Sequence, residues 1–191
     1  MTVSLRFKSF FAILMAAVLL LLPNTSAFAA DPPAQIKINY QSQEKSQWCW
    51  AAVSVMLLDV FGIKMTQSQY AQYANGHTQN VTIMDFEFRD ALEGKGITGK
   101  MTPGPATPAQ IKASIDRKEP VVVFQKFKRT GVGHLVIING YFEKPGDNNL
   151  YLWINNPSKQ VGVQDWYTYE EMKTDKSIQW TQSLINIKKT N

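Results

Sequence analysis

The stretch Gln43-Ser-Gln-Glu-Lys-Ser-Gln-Trp-Cys49-Trp-Ala-Ala-Val-Ser-Val-Met-Leu-Leu-Asp-Val-Phe-Gly62 holds the only cysteine of the 191-residue chain. From Cys49 onward, Ala52, Val53, Met56, Leu57 and Val60 recur at spacings of three and four, and Gly62 is a suitable stop, so the spacing predicts a helix. A helix this apolar is expected in the middle of the domain, with only its first turn open to a cleft. The N-terminus of a helix carries about +0.5 of an elementary charge and free N–H groups, both of which favour a thiolate placed there. One cysteine cannot close an intrachain disulfide, so Cys49 is a buried filler, half of an intermolecular bridge, or a reactive thiol.

A thiol nucleophile needs a histidine, and the chain has two. His134 follows Gly131-Val-Gly133 and opens the apolar run His134-Leu-Val-Ile-Ile-Asn-Gly140, where a strand edge can face a helix N-terminus packed on the sheet. Gly133 leaves room beside it for a substrate backbone. A hydrogen-bonded structural histidine is the alternative. His77, in the polar segment Asn75-Gly-His-Thr-Gln79, reads as a surface residue. The imidazole also needs an acceptor to fix its tautomer, and Trp153-Ile-Asn155-Asn156-Pro157 ends a strand at a proline. Asn156 is the expected partner, because Asn155 has the opposite strand parity and faces away. Gln43, six residues before the cysteine, is placed to donate with the Cys49 N–H to a developing oxyanion.

Around these residues the chain divides in two. Capping boxes are expected at Thr66 with Gln69, Thr82 with Asp85, and Thr107 with Gln110, the last with Pro108 at the first helical position. Residues 36–40 alternate as a short strand would, while 98–108 read as loop from their Gly and Pro content. After Glu119-Pro120 the runs Val121-Val-Val-Phe124, His134-Leu-Val-Ile-Ile138 and Leu150-Tyr-Leu-Trp-Ile154 predict an antiparallel meander. Residues 161–167 add a strand, Thr168 with Glu171 caps a short helix, and 178–187 form a closing strand. The expected class is α+β, with an N-terminal helical half that buries the Cys49 helix against a C-terminal antiparallel sheet and leaves a cleft at the junction.

Residues 1–29 read as a secretory signal. Arg6 and Lys8 precede an apolar core from Phe10 to Leu22, and Ala27-Phe-Ala29 fits a cleavage site. The apolar run is short for a membrane span. Residues 30–191 remain as one domain, secreted or periplasmic, with no stable membrane association and a charge of about +3, too small and too scattered for nucleic acid. The run Lys126-Phe-Lys-Arg129 is expected at a solvated hairpin tip. Trp48 and Trp50 read as packing more than cleft lining. No metal site or cofactor is expected, since one Cys and two distant His lack ligand spacing.

The order Gln43, Cys49, His134, Asn156, with its interval of six between Gln and Cys, resembles the papain-like cysteine peptidases. More narrowly, Gln47-Trp-Cys49-Trp-Ala-Ala52, Glu119-Pro-Val-Val-Val123, Gly133-His-Leu-Val-Ile-Ile-Asn-Gly-Tyr141 and Ile154-Asn-Asn-Pro157 are similar to the compact bacterial branch of plant-pathogen effector proteases and double-glycine leader peptidases. The resemblance covers about residues 40–172. Leader-trimming relatives usually carry Asp-Pro where this chain has Asn156-Pro157; papain itself uses Asn, although its Asn-Ser-Trp signature is absent. No transporter segment follows the domain in this sequence, so a peptidase separate from an exporter is expected.

The resemblance implies hydrolysis of a peptide or protein substrate by a Cys49–His134 thiolate–imidazolium pair, oriented by Asn156, with Gln43 and the Cys49 N–H as oxyanion donors. Two other readings compete. The same chemistry serves thiol amidases and acyl transferases on cell-wall or other amides. A silent peptidase-fold module would bind without using the thiol.

Overall fold

The computed structural model describes residues 33–158 and 164–190. The expected signal segment lies outside them, as do residues 161–163 of the expected sixth strand. Five helices and seven strands follow in the order β1 (Ala34–Gln35), α1 (Cys49–Val60), α2 (Gln67–Asn75), α3 (Asp85–Glu93), β2 (Ile97–Pro103), α4 (Pro108–Asp116), β3 (Val121–Phe127), β4 (Gly133–Glu143), β5 (Leu150–Asn155), β6 (Gln164–Thr168), α5 (Tyr169–Lys173) and β7 (Ile178–Lys189).

One antiparallel sheet carries everything, in the order β2-β7-β3-β4-β5-β6, with β1 paired to β4 beside this path. The meander β3-β4-β5 is the expected one. Strand β7, the last of the described elements in sequence, sits between β2 and β3.

Both faces of the sheet are covered. Val122, Phe124, Leu135 and Ile137 pack under α1, α2 and α3, and Val121, Val123, Val136 and Ile138 pack with α4 and Met172 on the other face. Double burial explains the unbroken run Val121-Val-Val-Phe124, which has no polar face to show. Every residue of α1 from Cys49 to Leu58 is buried. Each large apolar side chain so covered contributes about 1.5–3 kcal/mol, so α1 is the fixed member of the domain.

Three sequence expectations shift. Residues 97–103 form the edge strand β2 and not loop; Pro103 is tolerated because the strand's outer side pairs with no described strand, and Gly99 lies where a Cβ would sit 2.9 Å from the Leu184 side chain. Residues 36–40 carry no ladder, which is confined to Ala34–Gln35; Ile36 N–H donates to the Asn139 carbonyl at 2.7 Å, and the alternation reflects burial of Ile36, Ile38 and Tyr40. Helix α3 starts after Met84, not Thr82. Glu87 accepts from the Met84 N–H at 2.8 Å, while Asp85 accepts from the Gln182 amide at 2.8 Å and ties the helix to β7. The caps at Thr66, Thr107 and Thr168 form as expected.

Gly140 marks the tightest crossing. It pairs with both Gln35 and Trp153, and a Cβ there would stand 2.9 Å from the Ala34 carbonyl. Gly140→Ala must push β1 off the sheet, and denaturant unfolding is expected to show a loss of about 1–3 kcal/mol; an unchanged midpoint would mean that β1 adds nothing.

Candidate active site

Cys49 is the first residue of α1, and Trp48 takes the N-cap position. The helix begins there because flanking side chains fix the approach. Trp48 and Trp50 are both fully buried and send their indole N–H groups to the carbonyls of Gln79 and Val81, at 2.9 and 3.0 Å. They are structural pegs. Asn80, between those carbonyls, accepts from the Gln47 N–H at 2.9 Å and donates to Ser46 Oγ at 2.8 Å. Buried Gln67 does the same from α2, accepting from the Glu44 N–H at 3.0 Å and donating to the Ser42 carbonyl at 2.9 Å. Sequence reading gives neither residue this role: Gln67 belongs to no motif, Asn80 opens an Asn-Val-Thr sequon, and only tertiary contact reveals what they hold.

His134 stands at the start of β4, 8 % exposed, and its Nε2 lies 2.8 Å from Asn156 Oδ1. The Ser158 N–H also donates to that oxygen, at 3.0 Å, which identifies it as the amide carbonyl. Nε2 therefore carries the proton, and Nδ1 is left as the basic nitrogen. Asn155 faces away, fully buried, and donates to Asn139 Oδ1 at 2.6 Å while accepting from Gln164 at 2.6 Å. His77 lies apart from the cleft, its Nδ1 accepting from the Gln79 N–H at 3.3 Å.

Two further bonds join the two halves. The Gln43 N–H donates to the Pro157 carbonyl at 2.8 Å, and Tyr40 Oη donates to the Asn156 carbonyl at 2.9 Å. The segment that leads into Cys49 thus holds the segment that carries the histidine's acceptor.

Cys49, His134, Asn156 and Gln43 all line one cleft of about 900 Å³. Gln43 does not present its amide there as a donor. Its Nε2 donates to the carbonyls of Lys45 and Ser46, at 3.0 and 2.7 Å, and its Oε1 is buried with no partner among the described residues. The amide closes the 43–46 turn, which competes with the oxyanion role read from spacing. A second groove of about 520 Å³, lined by Ile83, Met84, Phe86, Met101 and Leu135, reaches Cys49 from the α3 side. Gly133 lines both grooves, and a Cβ built on it meets nothing closer than the Gln125 carbonyl at 4.0 Å. It is an open saddle between the two.

Burial pushes the Cys49 thiol above its ordinary value, against N–H groups of Leu135, Trp50 and Cys49 itself that pull it down. Burial likewise pushes the His134 imidazole below its ordinary value of 6.5, against the Asn156 bond that raises it. Each group alone thus prefers its neutral form. Among the described residues no three His, Cys, Asp or Glu side chains converge as a metal site would require, and no helix is long and apolar enough to cross a membrane.

Comparison with known proteins places the chain in context. It matches the Peptidase_C39 like family over residues 35–184. Among solved structures, a double glycine motif protease from an AMS/PCAT transporter, crystallised with its leader peptide, is 22 % identical with a TM-score of 0.57, covering 82 % of this chain and 94 % of that one. The peptidase domain of Streptococcus ComA, a bifunctional ABC transporter, is 16 % identical with a TM-score of 0.59, covering 81 % and 98 %. UfSP from C. elegans is 9 % identical with a TM-score of 0.60, covering 84 % and 35 %. These likenesses establish the fold as papain-like. No curated protein sequence matches significantly.

The His134 environment sets a pH response. With its folded value below 6.5, the unfolded chain takes the proton first, so stability is full above about pH 6.5 and falls on acidification, by up to about 1.4 kcal/mol per pH unit. Denaturant unfolding between pH 7 and 5 is expected to show this slope in the wild type and a shallower one in His134→Gln; equal slopes would contradict the burial argument.

Proposed function

Since the chain belongs to the Peptidase_C39 like family and is a papain-like cysteine-type peptidase, we propose that it hydrolyses peptide bonds with Cys49 as nucleophile, His134 as acid and base, and Asn156 as the holder of the imidazole. The observation that carries this reading is the His134–Asn156 bond of 2.8 Å inside the cleft that also contains Cys49.

The steps follow from the tautomer. Nδ1 of His134 takes the thiol proton, and the sulfur attacks the scissile carbonyl. The resulting imidazolium is held by Nε2–H donating to Asn156, as the neutral ring was, so the His134–Asn156 bond is kept. The oxyanion is received by the Cys49 N–H at the helix start. Gln43 joins it by giving up a carbonyl of Lys45 or Ser46, and the loss of that bond is offset by the stronger one to a charged oxygen. His134 then protonates the departing amine, and water, deprotonated by the same nitrogen, releases the acyl group.

A peptide substrate is supported by the transporter-linked relative, which was crystallised with a leader peptide. The saddle at Gly133 gives an extended chain a path past the sulfur. Residues 1–29 act as an export signal in this reading, so the active protein is secreted or periplasmic; the mature N-terminus at Ala30 is the corresponding measurement.

The first experiment is the pH dependence of Cys49 alkylation by iodoacetamide in wild type and His134→Ala. Reaction well below the free thiol value of about 8.5, lost in the variant, supports the pair; an inert or free-thiol profile in both returns the protein to the silent binding reading. With peptide substrates, Cys49→Ala is expected to abolish turnover. Gln43→Ala should lower kcat about 10²-fold with alkylation retained. Gly133→Val should leave alkylation intact and reduce peptide hydrolysis at least tenfold; undiminished hydrolysis would remove the saddle from the substrate path.

A further inference from the structure

The larger cleft is more than the surroundings of the sulfur. Its lining includes Phe127, Val136, Ile154, Tyr167, Met172 and Ile178, together with Gln125 and the acidic Glu171 and Asp175. Gln125 pairs directly with His134 across β3 and β4 and is only 5 % exposed. Its side-chain amide makes no hydrogen bond to any described residue, although the other buried carboxamides around the site, those of Gln67, Asn139 and Asn155, are all engaged.

An unengaged amide in an apolar pocket sorts ligands. A purely hydrocarbon side chain that fills the pocket strips water from Gln125 and leaves its amide unpaired, at a cost of about 1–3 kcal/mol. A side chain of similar shape with a hydroxyl at its tip avoids that cost, and sites of this kind reject the analogue that lacks the hydroxyl. Volume excludes the small residues, since an alanine or glycine leaves the six apolar walls wet.

The side of the scissile bond follows from the mechanism. His134 must reach the leaving amine to protonate it, and His134 lines this cleft but not the α3 groove. The leaving segment therefore lies here, and the acyl segment lies across Gly133. We propose that this pocket takes a large aromatic side chain with a hydrogen-bonding tip, tyrosine before phenylalanine, from the C-terminal side of the cleaved bond, with the Gln125 amide as its polar contact. The choice of side rests on the hydrolase reading above; the pocket's preference does not.

The test uses the single cysteine as an anchor. The chain lacking residues 1–29 is equilibrated with disulfides of 2-mercaptoethyl amides bearing 4-hydroxyphenyl, phenyl or methyl arms, and capture at Cys49 is read by intact mass. The wild type is expected to retain the hydroxyphenyl arm about tenfold over phenyl, and phenyl over methyl. Gln125→Met should erase the first preference and keep the second, whereas Ile178→Trp, at a half-exposed wall position, should erase both by filling the pocket. Equal capture of the two aromatic arms in the wild type, or a ratio unchanged by Gln125→Met, overturns the pocket assignment. Hydrolysis of peptides carrying Tyr or Phe after the cut supplies the side: a Tyr preference in kcat/KM that Gln125→Met removes supports it, and the same preference found only before the cut overturns it. A protein that captures the arms selectively but cleaves no peptide contradicts the hydrolase reading and the side assignment, and leaves the pocket standing.

Discussion

The contact on which the site depends is between two stretches of main chain more than a hundred residues apart. Gln43 N–H bonds the Pro157 carbonyl, and Tyr40 Oη bonds the Asn156 carbonyl. Neither bond involves Cys49 or His134, yet together they set the distance between the lead-in to the nucleophile and the acceptor that holds the imidazole. Each is a neutral hydrogen bond of ordinary length, with a net value of about 1 kcal/mol. Their effect comes from position: both fall where a loop meets the end of a strand, the least constrained part of either element.

Much of the fold could be read from the sequence because its signals are local. Five apolar positions in Cys49–Val60 recur every three or four residues, and Val121-Val-Val-Phe124 is too short and too β-branched to be anything but a covered strand. The strand at 97–103 was hidden because Thr, Gly and Pro are loop residues unless a neighbour supplies the pairing, and that neighbour, β7, lies some eighty residues on. The helix start at Met84 was misread for a related reason. Asp85 has a local use as a cap and a distant one at Gln182, and the distant one prevails.

The site divides in the same way. That Cys49, His134 and Asn156 share one cleft was legible because one cysteine and two histidines leave few combinations, and strand parity separates Asn156 from Asn155. What spacing could not show is how the groups are employed. Gln43 lines the same cleft as Cys49, but its amide bonds two carbonyls of its own loop. Gln125 belongs to no sequence motif, and only the enclosure around it gives it a meaning.

The position of β7 bears on when the protein can act at all. The strand that joins the edge strand β2 to the rest of the sheet is also the last of the described elements in sequence, and it brings with it Leu184 and Ile187 for one face, Trp180 and Ile185 for the other, and the Ile178 wall of the cleft. A nascent chain that already carries Cys49, His134 and Asn156 has β2 and β3 with nothing between them, so it can neither close its core nor assemble the cleft. Cys49 thus precedes its own surroundings in the chain: until β7 is seated between β2 and β3, the cleft around it lacks a wall and the sheet a member.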